Sequence, residues 1–326
     1  MGLGRRRDAF ARECRGMIGA FRSDVASRNP LHRLHPLQPL YHAKEMLLLL
    51  QRLGATGARG SSSTARRKLS DSDTFHGATL DHSVWDAILQ AHVHQKQLIQ
   101  NGVSAATVDY DGIASDERFS AYLHSLATVD LATLAPAESL ALLINAYNAL
   151  CINLIIQHER AHPGMKLRSI TQLSGRTQVW DQPAGTLGGQ TVSLSHVEHK
   201  LLRGQWDEPS LHFCIVCASA SCPDLRAGAY TAPTLVAQMR EQADAFFRDR
   251  TKGLAWDGAT LSLSRILYWF ADDWGGAQRA ADAALVALGD DGVARAARNT
   301  RLSRVLQLEN SWRTRYFPYC WAMNRV

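Results

Sequence analysis

The 326 residues hold no stretch of about 18 or more uncharged apolar side chains with the character of a membrane span, which argues against a transmembrane segment. The N-terminus lacks a charged n-region followed by an apolar h-region and a small-residue cleavage site, which argues against a secretion signal. A soluble, intracellular protein is the expectation. The six cysteines (Cys14, Cys151, Cys214, Cys217, Cys222 and Cys320) lack the regular spacing of a small disulfide scaffold, so reduced thiols are expected. Cys214 and Cys217 form a C-x-x-C pair, but no second C-x-x-C or C-x-x-H stands at zinc-like spacing. Neither a metal nor a cofactor is expected. Oligomeric state is not legible.

Acidic residues are scarce at one end only. Residues 1–70 carry twelve Arg and two Lys against four acids, net +10, while the remaining 256 residues carry 22 basic against 26 acidic side chains, net −4. The overall charge of +6 therefore belongs to the N-terminal region, and a nucleic-acid-binding surface on the body is disfavoured. "MGLGRRRDAFARECRGMIGAFRSDVASR" is Arg-rich and can be drawn as an amphipathic helix, the character of an organelle-targeting peptide or of a solvated basic extension. "YHAKEMLLLLQRLG" reads as a short helix. "GATGARGSSSTARRKLSDSD" is Gly/Ser/Arg-rich and aperiodic, as a flexible linker is. Residues 1–74 are accordingly read as a basic extension and linker, and 75–326 as a single domain beginning near Phe75.

The body reads as α+β, with a helical N-terminal half, a long buried central helix, and a small sheet in the C-terminal half. In "DHSVWDAILQAHVHQKQL", Val84, Ile88, Leu89 and Val93 share one helical stripe. "SDERFSAYLHSLATV" predicts a second helix. Pro136 sits where a first turn tolerates proline, and "AESLALLINAYNALCINLIIQHE" continues from it as a helix apolar all round except for its asparagines. "QTVSLS" and "ATLSLS" alternate apolar and small polar residues, the period of a half-buried strand, and each ends in a serine suited to cap the next helix. Asp257-Gly258 predicts a hairpin turn between "LAW" and the second of these. "LHFCIVC" is expected to be a third, central strand.

The chemistry turns on "HFCIVCASASCPDL", residues 212–225, with three cysteines and a histidine in fourteen residues. On a strand, His212 and Cys214 would face one way and Cys217 the other, so the C-x-x-C pair would not grip one ion. Cys222 follows small residues and precedes Pro223, where a strand must end and a ligand site commonly opens. A thiolate there needs a base, and His212 and His199 are the candidates. Ser195 and Glu198 have capping-box spacing, and Arg203 lies one helical turn beyond His199, placed to hold an anion or a carboxylate. Asn145 and Asn148 share a face of the central helix beside Tyr147. They either tie loop backbone, the simpler reading, or line a polar cavity. Asp272 and Asp273 read as a helix end and a loop.

"LINAYNAL", "LSHVEHKLLR", "LHFCIVCASASCPDL", "LSLSRILYWFADDW" and "YFPYCWAMN" occur in the order and rough spacing of the domain-of-unknown-function 547 family, and the chain resembles that family over about residues 80–324. The resemblance implies a recurring set made of Asn145, Tyr147, Asn148, Glu198, His199, Arg203, His212, Cys217, Cys222 and Pro223. Where the family usually closes with Tyr-Asp-Trp, this chain has Tyr319-Cys320-Trp321. No activity comes with the family. The expectation formed from the residues is a thiol-dependent hydrolase or transferase acting on an amide or thioester, with Cys222 as nucleophile, His212 or His199 as base, and Asn145, Tyr147, Asn148, Glu198, Arg203 and Cys217 binding. The alternative is a non-catalytic module that binds a peptide or small molecule.

Overall fold

A computed structural model describes residues 66–69, 81–175, 177–256, 260–287 and 314–326. Every described residue belongs to one compact unit, Ala65–Val326. The basic extension, the "YHAKEMLLLLQRLG" helix, most of the linker and Phe75 lie outside the described residues. Arg67, inside the expected linker, forms a parallel bridge with Trp206: its N–H donates to the Gln205 carbonyl (2.8 Å) and its carbonyl accepts from the Asp207 N–H (2.7 Å).

The fold is α+β. Helix α1, Ser83–His92, buries Trp85, Ile88 and Leu89. It does not continue through "VHQKQL" as the stripe predicts: strand β1, Val93–Gln100, begins at once and pairs antiparallel with β2, Val103–Val108. The turn between them is Asn101-Gly102, with φ of 55° and 77°. Two successive left-handed residues match the right-handed twist of a hairpin, and Asn-Gly tolerates them better than most residue pairs. Helices α2, Tyr110–Ser115, and α3, Glu117–Thr128, come next, each capped by an aspartate (Asp109, Asp116) that accepts a backbone N–H from the first turn.

Helix α4, Pro136–Ala161, runs through the core with Pro136 in its first turn, as expected from sequence. By length and composition it is apolar enough to cross a membrane, but 94% of its most apolar window is buried within the fold. Its asparagines explain how such a helix accepts polar groups. Asn145 donates to the Tyr230 carbonyl (2.8 Å) and accepts from the Tyr230 N–H (3.0 Å). Asn148 does the same across two residues, donating to the Cys214 carbonyl and accepting from the Val216 N–H, both at 2.9 Å. Each buried amide takes the place of a neighbouring strand and satisfies backbone that has no ladder of its own.

The second half builds small sheets. Strands β3, Pro183–Leu187, and β4, Gln190–Ser193, form an antiparallel hairpin. Strands β5, Leu254–Trp256, and β6, Leu261–Leu263, pair antiparallel, and β6 pairs parallel with β7, Thr314–Tyr316. The expected hairpin between "LAW" and "TLSLS" is therefore present in its strands, while its turn at 257–259 lies outside the described residues. Helix α5 begins at Leu194–His196 and passes into a π-helical turn, Val197–Leu202. Its cap is Ser193, which accepts the His196 N–H and stands two residues before the Ser195 expected to fill that role. Helices α6, Leu235–Arg248, α7, Arg265–Trp269, capped by Ser264, and α8, Ala277–Ala287, complete the described elements.

The expected central strand "LHFCIVC" is absent. Pro209–Phe213 is a 3-10 turn, and the chain then runs irregularly to Leu225. The cause lies just upstream: Pro209 presets a helical first turn, and the Glu208 carboxylate accepts from the Ser210 N–H (3.2 Å) and hydroxyl (2.6 Å), which closes that turn. The backbone from Cys214 to Val216 is held by Asn148 instead of by a sheet.

Candidate functional site

The irregular segment carries a polar cluster at each end. At its start, His212 is buried and stacked on Phe270, with ring centroids 4.0 Å apart. Its Nε2 lies 2.8 Å from Asp273 Oδ2. An ionised carboxylate only accepts, so this nitrogen carries the proton and donates. Arg203 grips the same carboxylate with two donors, Nε to Oδ2 at 2.6 Å and a terminal nitrogen to Oδ1 at 3.1 Å. Its other terminal nitrogen donates to His199 Nδ1 at 2.7 Å, and its guanidinium lies over the Phe270 ring. Burial would raise the Asp273 carboxyl, and the hydrogen bonds from His212 and Arg203 outweigh that and hold it well below the usual carboxylate range. Burial lowers the His212 pKa, opposed by Asp273, so the ring is neutral. Glu198, on the π-helical turn, accepts from the Tyr147 hydroxyl (3.4 Å) and lies 4.0 Å from His199. A shallow hollow beside this cluster is lined by Arg66, Arg203, Trp206, Glu208 and Asp273.

At the far end, Cys217 and Cys222 meet. Their sulfurs are 2.7 Å apart, and the Cys217 N–H donates to Cys222 Sγ at 3.1 Å. Tyr319, brought from the C-terminal segment, donates its hydroxyl to Cys222 Sγ at 3.3 Å and receives a hydrogen bond from the Ser219 hydroxyl at 3.1 Å. Three donors thus converge on one sulfur: a thiol, a phenol and a backbone amide. Burial pushes the Cys222 thiol up, and the hydrogen bonds from the Cys217 thiol, the Tyr319 hydroxyl and the Cys217 N–H more than offset this, bringing it down to about 6. Cys217 moves the other way, chiefly because its hydrogen bond to Cys222 favours the protonated thiol, with desolvation adding to that. Because the Cys217 N–H and the Tyr319 hydroxyl also donate to Cys222 Sγ, Cys222 is the acceptor of the sulfur pair.

The backbone is bent to allow this. Ala218 has φ of 60°, a left-handed conformation that costs a residue with a Cβ about 1–2 kcal/mol. The C-terminal segment holds the bend: the Asn324 N–H donates to the Ala218 carbonyl, the Ala220 N–H to Ala322 O, and the Ser221 N–H to Cys320 O. Cys320 returns a bond from its own N–H to the Ser221 hydroxyl at 2.8 Å. Below the loop, the buried Lys252 ammonium donates to the Ala220 carbonyl (3.1 Å) and to Asp224 (2.7 Å). The Tyr319 ring is wedged between Trp269 and Trp321, at 4.8 and 4.4 Å.

The residues singled out from sequence therefore fall into separate roles. Asn145 and Asn148 tie backbone. Tyr147 and Glu198 form one pair, and His199, Arg203 and His212 gather on Asp273. Cys217 and Cys222 stand with Tyr319. The structure joins Cys222 to a cysteine and a tyrosine and joins His212 to an aspartate. Cys214 belongs to neither cluster, its thiol pointing at the Ser210 carbonyl. Among the described residues, no group of three or more His, Cys, Asp or Glu is placed to hold a metal ion.

Two residues central to this geometry escape sequence reasoning. Asp273 looks like the end of a helix, and so it is: it closes the 3-10 turn Ala271–Trp274, which stops at left-handed Gly275. Its signal is the pairing of an acid in "WFADDW" with the arginine and histidine of two other segments, which only the fold brings together. Tyr319 stands beside the Cys320 that draws attention as a departure.

Residues 131–247 match the model of the family described as protein of unknown function, DUF547. That stretch of the chain is similar to this family. It spans α4, the π-helical turn Val197–Leu202, Arg203 and the Cys217–Cys222 pair, while Asp273 and Tyr319 come from beyond it. No curated protein and no solved structure matches the chain.

Proposed function

We propose that this DUF547 domain carries out thiol-dependent acyl transfer or hydrolysis with Cys222 as its nucleophile. The observation that carries the reading is the convergence of the Cys217 thiol, the Cys217 N–H and the Tyr319 hydroxyl on Cys222 Sγ. A thiolate stabilised by fixed donors needs no histidine base to create it, so the engagement of His212 by Asp273 leaves the reading intact while changing its parts. The thiolate attacks the acyl carbon, the acyl–sulfur bond to Cys222 forms, and the leaving group departs with the electrons of its own bond. Water or a second acceptor then takes the acyl group. A thioester suits this site better than an amide, because a departing thiolate needs no proton whereas a departing amine does.

The second reading, a non-catalytic module binding a peptide or small molecule, draws on one fact: Cys222 is only 5% exposed and its hydrogen bonds are already made within the protein. Alkylation by iodoacetamide, followed cysteine by cysteine by mass spectrometry on the folded full chain across pH, separates the two. The thiolate is the reactive form, so the Cys222 rate rises with pH through its pKa. The nucleophile reading expects a midpoint at about 6, against ~8.5 for an ordinary thiol. Labelling of Cys222 that begins only once denaturant unfolds the chain overturns it in favour of the module.

A further inference from the structure

We infer that Cys217 and Cys222 form a reversible disulfide on exposure to peroxide, with Cys222 as the cysteine that is oxidised and Cys217 as the one that resolves it. This rests on the same reading of Cys222 as the reactive thiolate, and adds to it a second sulfur with a separate task. Four features of the site support it. The sulfurs are 2.7 Å apart, so closing the bond requires a small displacement in a loop of four intervening residues. The Cys217 thiol faces Cys222 and has a weaker claim on its other partners, Ser219 Oγ at 3.2 Å and Tyr319 OH at 3.5 Å. Cys217 is half-buried whereas Cys222 is buried, so solvent meets the pair at Cys217. Two neighbouring cysteines are held inert: burial pushes the Cys151 thiol far above the ordinary range, and the Cys214 thiol up to about 12.

The chemistry balances without a cofactor. The Cys222 thiolate attacks one oxygen of hydrogen peroxide, the O–O bond breaks, and a sulfenic acid forms on Cys222 as hydroxide leaves and takes a proton from solvent. Cys217 then loses its proton and its sulfur attacks Cys222 Sγ, forming the S–S bond and expelling the sulfenic oxygen as water. Two thiols and one peroxide give one disulfide and two waters. An external dithiol reverses the process by exchange, attacking the half-buried Cys217 sulfur. While the bond stands, Cys222 has no thiolate to offer an acyl group, so the same pair makes the proposed transfer sensitive to oxidants.

The test treats the folded full chain with hydrogen peroxide, blocks free thiols, and reads the tryptic peptide that holds Cys214, Cys217 and Cys222 by fragmentation. The expected result is loss of the mass of two hydrogens, localised between Cys217 and Cys222, restored by dithiothreitol and retained in Cys214→Ser. In Cys217→Ser the bond cannot form, and Cys222 is expected to accumulate sulfenic acid that dimedone traps. A wild-type chain in which Cys222 takes up dimedone as readily as the Cys217→Ser variant overturns the inference, as does a disulfide that involves Cys214 instead. If Cys222 alkylates with a depressed midpoint yet forms no disulfide, the inference falls and the nucleophile reading stands. If Cys222 neither alkylates nor oxidises before unfolding, both fall.

Discussion

The two ends of the segment 209–225 solve the same problem, a polar group inside the protein, in opposite ways. At His212 the solution is charge: the Asp273 carboxylate takes two donors from Arg203 and one from a neutral histidine. At Cys222 the solution is a network of hydrogen bonds: two sulfurs, a phenol and a serine hydroxyl arrange their hydrogens around one site. The first arrangement stores its free energy in keeping the charges where they are. The second satisfies its groups with hydrogen bonds alone. Proximity in sequence suggests one site of cysteine and histidine, whereas the fold makes two clusters, one built on an ion pair and one on sulfur.

Removing a member of the ion-pair cluster should have the largest effect. Asp273→Ala leaves the Arg203 guanidinium, with 23% of its side chain exposed, and the buried His212 without their common acceptor. Breaking one side of such a pair costs about 3 kcal/mol, read as a shift of the denaturant midpoint. The Cys222 alkylation midpoint should stay near its wild-type value, since the carboxylate belongs to the other cluster. The pH dependence has a definite sign. Because the folded state depresses the Asp273 pKa, its contribution is fully present above the ordinary carboxylate range and is lost as pH falls through and below it; Asp273→Asn should remove that acid-side loss. An alkylation midpoint that moves as far as the stability does would mean that the two clusters are one.

Asn148 lies between the two and should show an intermediate effect on stability with a clear effect on the thiols. Asn148→Ala leaves the Cys214 carbonyl and the Val216 N–H unsatisfied in the core, at a cost of about 2 kcal/mol. It also frees the backbone just before Cys217, so the midpoint of Cys222 alkylation should rise toward that of an ordinary thiol. Asn145→Ala serves as the control: it loses two equivalent hydrogen bonds, to Tyr230, and should destabilise by a similar amount while leaving the thiols alone.

How much of the fold is legible in the sequence depends on the reach of each interaction. Helix α4 is legible almost to its ends, because a long apolar run behind a proline specifies itself locally. The strands "QTVSLS" and "ATLSLS" are legible for the same reason, through their period of two. The hairpin β1–β2 carries a local signal, Asn101-Gly102, that the helical stripe obscures by running one turn too far through Val93. The cysteine segment misleads because an apolar run of seven looks like a strand whenever its neighbours are unknown. The strand is prevented by a turn closed by Glu208 and Pro209 and by an asparagine 66 residues upstream of Cys214. The candidate site shows the same limit: its cysteines are visible, while Tyr319, 97 residues after Cys222, becomes part of it only through the fold.

Tyr319 offers the smallest and most discriminating change. Tyr319→Phe keeps the ring between Trp269 and Trp321 and removes one oxygen, so the packing that positions the C-terminal segment is retained. Cys222 loses one of its three donors, and the Ser219 hydroxyl loses its acceptor but keeps the neighbouring Cys217 sulfur. The loss to stability should be about 1 kcal/mol, within reach of a single hydrogen bond. The alkylation midpoint of Cys222 should rise by about one pH unit, since withdrawing a donor from the thiolate alone penalises that state by ~1.4 kcal/mol. The direction is fixed by which form the phenol stabilises: a hydroxyl that donates to sulfur lowers the pKa, so its removal raises it. A midpoint that does not move would show that the cysteine pair shares its proton without help from the C-terminal segment, and Tyr319 would then be a wedge of the fold like the tryptophans beside it.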